Sequence, residues 1–130
     1  MQKVVFIFLA SLALFLMAGC SSANSDPAGQ AAQTYFQALA DKNENAMVAA
    51  SCAAWEEQAR LDLSAFSGVK TQSNAIACQT EESGEGTAVV SCTGSIQATY
   101  GSENQEFGLD GRLYQVIQEG GEWRMCGYQP

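Results

Sequence analysis

Polar and apolar residues follow three different periods along this chain, and each period predicts a different kind of segment. Val4 to Leu16 is an apolar run interrupted only by Ser11, behind the short basic start Met1-Gln2-Lys3. A membrane-spanning helix wants about 20 apolar residues, so this shorter run reads as the core of an export signal over residues 1–19. Residues 20–26, Cys-Ser-Ser-Ala-Asn-Ser-Asp, are small and polar and have the composition of a flexible tether. From Asp26-Pro27 onward, Ala28, Ala31, Ala32, Tyr35, Phe36 and Leu39 recur at helical spacing. Asp26 is placed to cap the first amides of that helix, and Pro27 suits its first turn. Asp41-Lys42-Asn43-Glu44-Asn45 interrupts the pattern. A second stripe through Val48, Cys52, Trp55, Ala59, Leu63 and Phe66 predicts a second helix, stopped at Ser67-Gly68, with Glu56 and Arg60 paired on its wet face.

After Gly68 the period falls to two. Ala88, Val90, Cys92, Gly94, Ile96, Ala98 and Tyr100 are apolar or small, while Ser91, Thr93, Ser95, Gln97 and Thr99 alternate with them. Polar and glycine-rich breaks divide the rest into strands near 69–80, 87–100, 105–118 and 122–128, joined by hairpins near Glu85, Glu103 and Gly120-Gly121. Asp110-Gly111 reads as a bulge in the third strand rather than as a turn, with Tyr100 and Phe107 as a cross-strand pair. Two N-terminal helices packed on a curved four-stranded antiparallel meander define an α+β fold, a single domain over residues 27–130.

Composition narrows the function classes. The chain has 130 residues, 6 basic and 14 acidic side chains and no histidine. Removing residues 1–19 removes one base, Lys3, and no acid, so the formal charge of −8 becomes −9. A surface so short of Lys and Arg is a poor match for phosphates, and nucleic acid is not an expected partner. Without histidine the commonest general base and the commonest zinc ligand are both missing. No metal site and no cofactor is expected. Glu81, Glu82, Glu85, Glu119 and Glu122 fall in two hairpin tips at one end of the sheet, without the spacing of a calcium loop, and read as solvated loop acids.

The leader ends in Met17-Ala18-Gly19-Cys20, which resembles the bacterial lipobox with methionine in place of the usual leucine. That resemblance implies cleavage before Cys20 and lipidation of its thiol. The protein would then sit on the exported face of the bacterial cell envelope, at the outer membrane if the host has one. Ser21-Ser22-Ala23 leaves open an ordinary signal cleavage. Assigning Cys20 to lipid converts five cysteines into four, the even number expected of disulfides in an exported domain. Cys52, Cys78, Cys92 and Cys126 are separated by 26, 14 and 34 residues, with none of the paired knuckles of a zinc site. In the predicted meander Cys78, Cys92, Gln115 and Cys126 form one cross-strand row. Two strand spacings, about 10 Å, then separate Cys92 from Cys126, beyond the ~7 Å that a disulfide spans. Cys78–Cys92 with Cys52–Cys126 is favoured, and Cys52–Cys78 with Cys92–Cys126 is the alternative.

Residues 35–42, Tyr-Phe-Gln-Ala-Leu-Ala-Asp-Lys, and residues 119–125, Glu-Gly-Gly-Glu-Trp-Arg-Met, resemble the first helix and last hairpin of the nuclear transport factor 2-like (cystatin-like) superfamily. The resemblance implies a cone with a pocket between helices and sheet. Tyr35, Trp55, Phe66, Tyr100, Gln115 and Tyr128 are the candidates to line it, although aromatic residues on apolar stripes are more often core or rim. Some members are isomerases or dehydratases whose acid–base residues point into that pocket. The expected inner row, Ile76, Cys78, Val90, Cys92, Ile96, Leu113, Gln115 and Ile117, contains no acid. The reading is therefore a non-catalytic envelope lipoprotein that binds a small molecule or a protein. A cone-pocket enzyme and a structural or inhibitory protein presenting a hairpin edge are the alternatives.

Overall fold

The computed structural model describes residues 25–129; the signal segment, the lipidation candidate Cys20 and the tether up to Asn24 lie outside the described residues. The chain folds as α1 (Pro27–Ala40), α2 (Glu44–Ala49), a 3-10 turn (Ala53–Trp55) and α3 (Glu56–Ser64). Five strands follow: β1 (Lys70–Ser83), β2 (Thr87–Tyr100), β3 (Glu103–Gly108), β4 (Leu113–Glu119) and β5 (Glu122–Gln129). They form one antiparallel sheet in the order β1-β2-β4-β5, with β3 also paired to β2. The fold is α+β as expected, with three helices where two were predicted and five strands where four were.

Asp26 does more than begin α1. One of its carboxylate oxygens accepts from the Gly29 amide at 2.9 Å and from the Thr80 hydroxyl at 2.6 Å, and the other accepts from the Thr80 amide at 2.7 Å. Gln33 takes the Cys78 amide at 3.2 Å. Side chains of the first helix therefore occupy amides on the free edge of β1, which would otherwise invite another strand. Burial pushes the Asp26 carboxyl up, but the bonds from the Thr80 hydroxyl and from the Gly29 and Thr80 amides outweigh it and hold it below its usual 3.8. A depressed carboxyl stabilises the fold above its unfolded value and stops doing so as the pH falls through its native one. Asp26→Ala is expected to cost about 2 kcal/mol at neutral pH, from the lost cap and the lost Thr80 bond. In urea melts the loss should shrink as the pH falls below 3.8 and through the native value of the carboxyl; a difference that stays constant across the acid range would refute the assignment.

The second helical stripe is not one helix. Ser51 and Cys52 leave helical geometry and lie beside β5 as a parallel bridge. The Cys52 amide donates to the Met125 carbonyl at 2.8 Å and the Met125 amide to the Ala50 carbonyl at 2.7 Å. The disulfide to Cys126 holds the same place, with a Cα separation of 5.2 Å. Glu119, from the end of β4, receives the Ala53 amide at 3.1 Å and so starts the next helical turn. Tertiary pairing outweighs the helical period here, and the far edge of the sheet is covered in exchange. Glu56 and Arg60 do pair across one turn, at 3.8 Å, and Arg60 also reaches Glu44 at 3.2 Å.

The long third strand is divided, though not by a hairpin. β3 and β4 lie end to end along β2, Ser95 facing Gly108 and Ser91 facing Leu113, with residues 109–112 looping out between them. Asp110-Gly111 is thus an enlarged bulge. It falls in line with a bulge in β1, where Ala75 and Ile76 oppose the single residue Gly94, and the Gly94 carbonyl receives the Leu109 amide at 3.0 Å. Two irregularities on one line bend the sheet around the helices. The register of the second hairpin also differs from the expectation. The hairpin turns at Gly101-Ser102, so Tyr100 faces Glu103 and Phe107 faces Ile96, and the expected Tyr100–Phe107 pair does not form. Across the bulge the parity of β4 inverts: Tyr114 and Val116 are buried, while Gln115 and Leu113 are exposed and Ile117 only partly covered. Gln115 faces Val89 and Gly127 rather than lying between Cys92 and Cys126.

The core is the space between α1, α2 and the inner sheet face, filled by Tyr35, Phe36, Met47, Val90, Ile96, Tyr114, Val116 and Met125. Cys78 faces Cys92 directly across the first hairpin and is bonded to it, with Cα atoms 4.1 Å apart. Cys126 is the extra residue of a bulge in β5, between partners of Gln115 and Val116, which points its sulfur toward Cys52. Both expected pairings are present.

Candidate functional site

A cleft of about 400 Å³ opens where the second half of α1, the end of α3 and the break between β3 and β4 meet. Its size is within the range of small-ligand sites, roughly 300–1,000 Å³. Phe36 and Leu39, one turn apart on α1, form one wall; Phe66, just beyond α3, and Phe107 on β3 form another, and Ile96 and Leu109 lie between them. Each is present for a local reason. Ile96 faces inward by the same alternation that buries Val90, Cys92 and Ala98, and the looped-out 109–112 segment brings Leu109 into the wall and Arg112 to the rim. The Phe66 and Phe107 rings meet edge to face at 5.1 Å, and Phe36 meets Tyr114 at 4.8 Å.

The polar side of the cleft is built on Asp62. One of its oxygens accepts from the Tyr35 hydroxyl at 2.7 Å and the Tyr128 hydroxyl at 3.2 Å, and the other accepts from the Gln58 amide at 2.9 Å. Trp55 donates its indole N–H to the Tyr35 oxygen at 3.3 Å and packs against the Tyr128 ring at 5.4 Å. Burial, with the adjoining Asp62 carboxylate, pushes both tyrosine hydroxyls well above the usual phenol range. At physiological pH they are fixed as donors. Burial raises Tyr114 as well. Glu106 accepts from the Ser95 hydroxyl at 2.5 Å.

Four of the six residues expected around a pocket converge here, in two roles. Phe66 and Tyr128 line the cleft, whereas Tyr35 and Trp55 stand behind the wall and reach it through Asp62. Tyr100 packs against the core at the end of β2, away from the cleft lining. Gln115 lies in a shallow groove on the opposite sheet face with Val89 and Gln129, because of the inverted parity of β4. Asp62 was missed although its position signals it: with Trp55, Ala59 and Phe66 it falls on one helical face, an acid inside an apolar stripe. The predicted inner row held no acid, yet the cleft gains two carboxylates, Asp62 from α3 and Glu106 from β3.

Among the described residues no group of three Cys, Asp or Glu side chains converges as metal ligands, and no helix is long and apolar enough to cross a membrane. At the hairpin tips Glu81 is held by Ser91 and Gln79, Glu122 pairs with Arg124 at 2.9 Å, and Glu119 caps Ala53. Compared with known proteins, the chain matches no family model and no curated protein.

Proposed function

We propose that the protein is a non-catalytic, lipid-anchored binding module of the bacterial cell envelope, with a nuclear transport factor 2-like domain that holds a small molecule. One observation carries the binding reading: the cleft between helices and sheet has apolar walls and a few convergent polar groups, the composition of a ligand site. The two disulfides support an oxidising, exported location. The lipobox-like residues 17–20 and the leftover cysteine support the anchor. A native mass spectrum of the protein purified from its own membrane is expected to show a lipid-modified N-terminal Cys20 and a copurified small molecule. Ala65→Trp, which fills the cleft mouth from an exposed position, should release that molecule. A mature N-terminus at Asn24 without lipid would overturn the anchor, and a molecule retained by the tryptophan variant would overturn the cleft.

A second reading, a cone-pocket enzyme, is favoured by Asp62, a carboxylate in the cleft wall within reach of two fixed hydroxyl donors. Turnover of the bound molecule that is lost in Asp62→Asn, with binding retained, would establish it.

A further inference from the structure

We infer that the ligand of this cleft carries an ammonium group on an apolar body. The inference rests on the reading of the cleft as a ligand site and concerns the class of molecule it takes. Two ring pairs lie in the lining: Phe66 and Tyr114 are buried in the wall, and each is set against a more open ring, Phe107 and Tyr128 respectively. Phe107 and Tyr128 remain 40% and 42% exposed, so their rings are open to a ligand. An aromatic face is the negative end of a quadrupole and attracts a cation laid over it.

The charges in the cleft agree. Asp62 and Glu106 lie in the lining against a single cation, Arg112. Both carboxylates are hydrogen-bonded by neutral groups, Asp62 by two tyrosines and a glutamine and Glu106 by a serine, and neither joins an ion pair among the described residues. Their charge is therefore not neutralised by the protein. An anion entering beside Arg112 would meet two like charges, within a chain of net charge −8. A cation would meet two opposite ones and the open rings of Phe107 and Tyr128.

Three probes of one shape separate the classes: choline, its neutral isostere 3,3-dimethylbutan-1-ol, and the anion 3,3-dimethylbutanoate. The full chain is titrated with each and followed by amide NMR shifts at Ile96, Phe107 and Leu109. Choline is expected to bind about tenfold more tightly than either of the others. Phe107→Leu and Glu106→Gln should each weaken choline several-fold and leave the alcohol unchanged, and Arg112→Ala should tighten choline. Equal binding of choline and the alcohol would overturn the ammonium inference while leaving the cleft a site for apolar ligands. Preference for the butanoate would overturn it in favour of an anion held by Arg112. No shift with any probe would overturn both the inference and the cleft reading. Dihexanoylphosphatidylcholine, kept below its micelle concentration, offers the same head on a lipid. Tighter binding than choline assigns the head to a lipid, and weaker binding assigns it to a free molecule.

Discussion

Replacing Cys52 and Cys126 together by alanine is expected to cost about 4 kcal/mol, against about 3 kcal/mol for the same change at Cys78 and Cys92. The difference follows from the chain each bridge closes, 74 residues in one case and 14 in the other. Alanine is the substitution to use because Cys52 is fully buried and a serine hydroxyl there would add its own desolvation cost. For a domain of this size 4 kcal/mol corresponds to a melting point lower by about 20 °C. Losing both bridges removes about 7 kcal/mol, comparable with the whole stability of a small domain, so reduction is expected to unfold it. Urea melts of the two double variants check this. Equal losses from the two pairs would show that loop size does not set their contribution.

Gly94→Ala should be nearly as damaging, for a different reason. At φ +87° an L side chain is strained, and a Cβ there would sit 2.4 Å from the Ala75 carbonyl oxygen and 2.6 Å from that of Asn74. Both obstacles are backbone, so no side chain can rotate aside and β1 must separate from β2. The expected loss is about 3 kcal/mol or more. Gly121→Ala is the control: its φ of +83° imposes the same backbone strain, but nothing lies within 4 Å of its Cβ, and it should cost only about 1 kcal/mol. Similar losses at the two glycines would mean that the close approach at the sheet bend contributes nothing. Gly94→Ala should also disturb the cleft, because the Leu109 amide is bonded to the Gly94 carbonyl and Ile96 lies two residues on.

Local signals were enough for most of the architecture. Asp26-Pro27 starts α1, the two-residue period marks β2, and the glycine-rich breaks fall at or next to the hairpins. What they could not supply was anything decided by pairing between distant segments. Cys52 keeps the spacing of its helical stripe, yet pairing with β5 draws it and Ser51 out of the helix. The run 105–118 reads as one strand with one parity, but the bulge at 109–112 adds a residue and exchanges Leu113, Gln115 and Ile117 for Tyr114 and Val116 on the inner face. Gly94 looked like one more small residue in an alternating strand. The disulfide pairing was nevertheless legible, since Cys78 and Cys92 depend only on the first hairpin, whose register holds at those residues. Asp62 could have been read from its helical position, whereas the convergence of Phe66 with Phe107 and of Asp62 with Tyr128 required the folded sheet.

The bonds made by Asp26 also orient the domain. The chain enters at Thr80, beside the hairpin tips that carry Glu81, Glu82 and Glu85, and α1 then carries it about 15–20 Å to the cleft-lining Phe36 and Leu39. A tether pulling on residue 26 bears on the edge of β1 rather than on a loose end. If that tether leads to a lipid, the acidic tips lie nearest the bilayer, where anionic head groups repel them. On that reading the cleft-lining Phe36 and Leu39 lie most of a helix length from the anchored end.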